Sequence, residues 1–92
     1  MDKKYQLKVY VVGETDESRK LISNLREILS GELNGNYRLQ VINLLENPSL
    51  AGEDKIFATP TVVKLLPAPT RKIIGDLSNR EKVLVGLDLV GE

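Results

Sequence analysis

The first half of the chain reads as strand, amphipathic helix, strand, and that order leaves few folds open. Tyr5-Gln6-Leu7-Lys8-Val9-Tyr10-Val11-Val12 alternates, with Leu7, Val9 and Val11 on one face, then turns apolar on both, as a central strand does. Gly13 ends it. Thr15 suits a helix N-cap, and Asp16 and Glu17 favour the positive end of the helix dipole. Leu21, Ile22, Leu25, Ile28, Leu29 and Leu33 fall at helical spacing as one apolar stripe, which Gly31, Asn34 and Gly35 bring to an end near Leu33. Tyr37-Arg38-Leu39-Gln40-Val41-Ile42-Asn43 predicts a second strand with Tyr37, Leu39 and Val41 inward. Strand, helix and strand of these lengths close as a right-handed βαβ unit with parallel strands.

The second half is less uniform. Asn47 and Pro48 suit an N-cap and first helical position, and the helix they open, about Pro48 to Asp54, is short and carries Gly52. Thr61 to Leu66 is a buried strand entered through Thr59-Pro60. Pro67 and Pro69 stiffen the next turn by fixing φ, and Arg71 to Gly75 is a fourth strand. Then two signals collide. Ser78-x-x-Glu81 is a capping box, favouring a helix from about Asn79. Val83-Leu84-Val85-Gly86-Leu87-Asp88-Leu89 alternates like a strand, Gly86 costs a helix interior about 1 kcal/mol, and Asp88 faces the negative dipole end, about 0.3–1 kcal/mol the wrong way. Helix and strand both stay open there. With a helix, the order is β-α-β-α-β-β-α, an α/β chain of thioredoxin-like arrangement in one domain, residues 1–92.

Composition narrows the chemistry. There is no cysteine and no histidine, so disulfides, thiolate nucleophiles, zinc–thiolate sites and imidazole catalysis are excluded. No enzyme activity, cofactor or metal site is expected. Thirteen basic residues balance thirteen acidic ones, so no global field would draw nucleic acid or an anionic membrane, and near-zero net charge hints at an oligomer. No apolar run reaches a membrane span, and Met1 to Tyr5 leads into a strand rather than a signal peptide, so a cytoplasmic protein is expected.

Three stretches carry a resemblance: Lys55-Ile56-Phe57-Ala58-Thr59-Pro60-Thr61, Leu66-Pro67-Ala68-Pro69, and the run from Arg71 to Leu89. With Leu7 to Gly13 and Glu46-Asn47-Pro48, they resemble KaiB, a family of small circadian-clock proteins. The resemblance implies a fold-switching protein. Such proteins rest as an oligomer, a dimer or tetramer, in a fold of their own. They rearrange the C-terminal half into a thioredoxin-like monomer that binds the N-terminal ATPase ring of KaiC. That form then captures KaiA and displaces or recruits clock-output kinases.

Several residues take roles under the resemblance. Gly86 and Asp88 match the family's switch-controlling glycine and aspartate; Gly86→Ala with Asp88→Arg is expected to raise the thioredoxin-like population by roughly 1–2 kcal/mol. Pro60 matches the proline before the third thioredoxin strand, which is usually cis there; base rates alone favour trans. Lys55 and Lys64 become candidates for KaiC contact, and Lys20, Arg71 and Lys72 for contacts between subunits, although such charges taken alone read as solvated surface. Arg38 and Gln40 stand where cyanobacterial members carry a small residue and a lysine on the strand that adds to KaiA, which weighs against KaiA as a partner and suggests a KaiA-less stress-timing system. Pro67-Ala68-Pro69 replaces a triple proline, and the chain stops at Val90-Gly91-Glu92 without the acidic tail of many members, as a truncation would leave it.

Three functions compete: a non-enzymatic regulator binding a KaiC-type ATPase, a KaiB-like sensor domain of a clock-output histidine kinase, and a thioredoxin-fold enzyme. The missing cysteines make the last remote.

Overall fold

The computed structural model describes residues 4–89; Val90 to Glu92, where the tail expectation falls, lie outside the described residues. The elements are β1 (Tyr5–Val11), α1 (Asp16–Leu33), β2 (Tyr37–Asn43), α2 (Ser49–Glu53), β3 (Thr61–Leu66), β4 (Arg71–Ile74) and α3 (Arg80–Gly86). They form one four-stranded sheet in the order β2-β1-β3-β4. β1 pairs parallel with β2, Leu7 opposite Leu39, and antiparallel with β3, Val9 opposite Val62. β4 then pairs antiparallel with β3. The element order is the expected one, with the contested C-terminal stretch helical.

Alternation along the central strands divides the interior in two. Leu7, Val9 and Val11 of β1 pack with Leu39, Val62, Leu25, Ile28 and Leu29 of α1, and Val83 and Leu84 of α3. Tyr10, Ile42, Ile56 and Val63 form a smaller cluster on the other face, with Leu44 and Leu50 against it. α1 and α3 therefore share one face and α2 takes the other. Burying a leucine such as Leu29 as fully as this contributes about 1.5–3 kcal/mol. Two polar links hold α1 to the C-terminal segment: Asn24 Nδ2 donates to the Leu77 carbonyl at 3.1 Å, and Arg80, beside Gly31, meets Glu32 Oε1 at 3.2 Å.

Local chemistry explains the ends of the elements. Thr15 caps α1 through a reciprocal pair with Ser18, 3.0 Å to its N–H and 2.9 Å in return. Asn34 takes the left-handed conformation at the C-cap, and Gly35 follows at φ +77°.

Three expectations need correction. Val41 is 39% exposed and Ile42 buried, because β2 is an edge strand and its outer end escapes the cover that α1 gives Leu39. α2 begins one residue late, with Pro48 at the N-cap and no side-chain cap bond; Asn47 offers only its carbonyl, to Leu50. The cap of α3 is Asn79, whose Oδ1 accepts from the Lys82 N–H at 3.0 Å. Ser78 lies one residue before the cap, and its N–H and hydroxyl both donate to Asp76 Oδ1, at 2.9 and 2.6 Å. Among the described residues, no helix is long and apolar enough to cross a membrane.

Candidate functional site

Two regions hold the residues that the sequence singles out. The first is the end of the sheet where the Gly13–Ser18 loop meets Pro60. Asn43 Oδ1 accepts from the Gly13 N–H at 2.8 Å and from the Leu45 N–H at 3.0 Å, and Gly13 turns the chain at φ +82°. The Thr59–Pro60 peptide is cis, as are Leu66–Pro67 and Ala68–Pro69. Beside Pro60 runs a cleft of about 740 Å³ between α1 and the loop after β4, lined by Lys20, Leu21, Asn24, Asp76 and Ser78 among others. Two hydroxyls near this end are committed to structure. Ser18 Oγ caps α1 and also bonds the Gly13 carbonyl at 3.2 Å; Ser78 Oγ donates to Asp76, and these bonds hold the Asp76 carboxyl below its ordinary range. With no cysteine or histidine in the chain, neither a thiolate nucleophile nor a nucleophile activated by imidazole can be assembled here. The end of the sheet that carries a cis proline here therefore has no dithiol redox chemistry.

The second region is the end of α3. The Leu89 N–H bonds the Leu84 carbonyl at 2.8 Å and the Asp88 N–H bonds Val85 at 3.1 Å, the paired bonds of a Schellman cap. Asp88 occupies its left-handed position at φ 57°, where glycine is the usual residue. Gly86 is more than a helix-weakening residue. An added Cβ would overlap Cγ2 of Ile73 on β4, so α3 lies as close to the sheet as it does because residue 86 has no side chain. Reading Gly86 only as a propensity cost missed this opposing effect, which depends on a neighbour thirteen positions away that no local pattern reveals.

The cationic candidates separate. Lys55 is exposed, left-handed at φ 55°, and its carbonyl accepts from Lys72 Nζ at 3.4 Å, so these two come together. Arg71 and Lys72 lie exposed on β4, Arg38 and Gln40 exposed on β2, at opposite edges of the sheet. Lys20 lines the cleft beside Pro60. Lys64 departs from the expected surface charge: it is 1% exposed. It sits on the central strand β3, across from Leu7 and Arg71, at the end of a run buried on both faces from Thr61 onward.

One interaction had no sequence signal. The hydroxyl of buried Tyr10 donates to Asp54 Oδ2 at 2.7 Å, joining β1 to the end of α2. Only the apolar drift of β1 toward both faces hinted that Tyr10 would be covered.

Comparison with known proteins matches this geometry. Residues 8–89 fit the KaiB domain profile. The circadian clock oscillator protein KaiB of Trichodesmium erythraeum is 59% identical over 92 residues, all of this chain and 88% of that protein. The protein of the same name from Microcystis aeruginosa is 59% identical over 90 residues, 98% of this chain and 86% of its own. Among solved structures, the N-terminal domain of Synechococcus elongatus SasA superposes with a TM-score of 0.76 at 23% identity, covering 100% of this chain and 90% of that one. Mitochondrial thioredoxin 3 of Saccharomyces cerevisiae, in its oxidized form, gives 0.70 at 18%, covering 96% and 80%. The fold is thioredoxin-like, and with a profile match over nearly its whole length the chain belongs to the KaiB family.

Proposed function

We propose that this chain is a non-enzymatic regulator of a circadian-type clock whose thioredoxin-like form binds the N-terminal ATPase ring of a KaiC-type protein. The observation that carries the reading is the end of α3, a complete helical cap closed by Asp88 in the left-handed conformation, two residues after Gly86. Gly86 and Asp88 each weaken this helix relative to better helix-forming or capping residues, which supports a second packing of the same segment a few kcal/mol away. The relatives' shared name supplies the clock context.

In this reading the chain is a single domain working in the cytoplasm. Lys55 belongs to the KaiC-facing surface, whereas Lys64, buried in the thioredoxin-like form, does not reach it. Lys20, Arg71 and Lys72 serve contacts between subunits in a resting dimer or tetramer. Arg38 and Gln40 on the open edge of β2 set whether KaiA can add there; the bulky arginine disfavours it, in keeping with a KaiA-less timing system. Size-exclusion chromatography with a KaiC N-terminal ring and ATP tests the proposal. Co-elution after prolonged incubation is expected, and its absence would overturn the reading.

The fold likeness to the SasA N-terminal domain favours a second reading, a KaiB-like sensor domain of a clock-output histidine kinase. That domain would elute as a monomer at every concentration and bind the ring without a slow phase.

A further inference from the structure

α2 is the least anchored helix of the molecule. It has five residues, no side-chain cap bond and no fully buried residue of its own. Leu50 alone among its side chains packs, partly buried, on the small cluster of Tyr10, Ile42, Ile56 and Val63. Past the helix, the Asp54 N–H bonds the Leu50 carbonyl at 2.9 Å, Lys55 turns left-handed, and the Ile56 N–H returns to Ala51 at 2.8 Å. Asp54 also receives the Tyr10 hydroxyl at 2.7 Å, and Tyr10 is 2% exposed on a central strand. Burial, helped by the carboxylate, pushes the Tyr10 phenol well above its ordinary range, so it stays a donor. A buried phenol with its acceptor removed is costly, while a short helix with few buried apolar contacts opens easily.

We propose that the Tyr10–Asp54 hydrogen bond is a latch: it governs local opening of the segment Ser49–Ile56 away from the sheet, an opening that bares Tyr10, Ile42 and Val63. The inference goes beyond the partner-binding reading and does not need it, since the opening is a property of the thioredoxin-like form alone.

Native-state amide hydrogen exchange on the purified chain tests the latch. Tyr10→Phe keeps the ring in place and removes only the donor. The Asp54 and Ile56 amides should then exchange about 10- to 100-fold faster, while amides of α1 and the β1–β2 ladder change far less. Asp54→Ala, on a half-exposed residue, should do the same. Asp54→Asn keeps an acceptor and should retain most of the protection. Uniform acceleration across the molecule, unchanged exchange at Asp54 and Ile56, or Asp54→Asn matching Asp54→Ala would each overturn the latch.

Discussion

Asp88 closes α3 with the wrong residue for its conformation, and replacing it separates two effects that usually travel together. At φ 57° an L side chain carries a left-handed penalty of roughly 1–2 kcal/mol, with aspartate at the lower end. Its charge at the helix C-terminus adds about 0.3–1 kcal/mol. Asp88→Gly removes both terms, offset by roughly 0.5–1 kcal/mol for the greater freedom of glycine in the unfolded chain. The net expectation is a helical form more stable by roughly 0.5–1.5 kcal/mol. Asp88→Ala removes the charge but keeps a Cβ and loses the local polar contacts that let aspartate tolerate this region. It should be neutral or destabilising by up to about 1 kcal/mol. Urea unfolding followed by circular dichroism reads the difference as midpoints moving apart at constant slope. If glycine and alanine shift the midpoint together and by equal amounts, charge alone matters at Asp88 and the left-handed argument is refuted.

Three further outcomes follow from the same geometry. Gly86→Ala brings a helix-propensity gain of about 1 kcal/mol against the overlap with Ile73, so a double-mutant cycle with Ile73→Ala should show coupling of roughly 0.5–3 kcal/mol, with alanine at 86 more favourable once the Ile73 methyl is gone; strict additivity would rule out the close approach. Asn79→Ala should cost about 0.5–2 kcal/mol and Ser78→Ala clearly less at the helix, and equal losses of helical signal would return the cap to Ser78. The bonds from Ser78 lower the folded pKa of Asp76 below its unfolded value, so their stabilisation is present above the unfolded carboxylate range, near pH 4, and is lost as pH falls through the folded value. Midpoints measured from pH 6 down to pH 2 should therefore fall less steeply in Asp76→Asn than in the parent chain, and identical profiles would contradict the assignment.

Much of the fold was legible because it rests on local periodicity. The 2-residue alternation of β1 and the 3.6-residue stripe of α1 each name their own buried face, and a strand–helix–strand unit has one favoured handedness. The capping residue of α1 was readable for the same reason, since Thr15 competes with no neighbour for the first-turn N–H groups. The cap of α3 was not: Ser78 and Asn79 both fit the local rule, and the choice fell to Asp76, which takes up the serine. Of the candidate site, the absent thiol and imidazole were decisive from composition, while the separation of Lys64 from Lys55 was not visible in either residue's neighbours along the chain.

The sequence by itself determined the order of the elements before α3, the absence of thiol and imidazole chemistry, and the family to which the chain is related, since all three are written in residue types and short spacings. Tertiary structure decided the rest. It made 80–86 a helix, because Val83, Leu84, Leu87 and Leu89 find buried places beneath it that outweigh the strand-like pattern. It buried Lys64 by placing β3 at a central position covered on both faces, and it gave Gly86 a second meaning by setting Ile73 against it. Tyr10 found its acceptor forty-four residues away for the same reason. Contacts between distant segments decide these outcomes, and no local pattern carries that information.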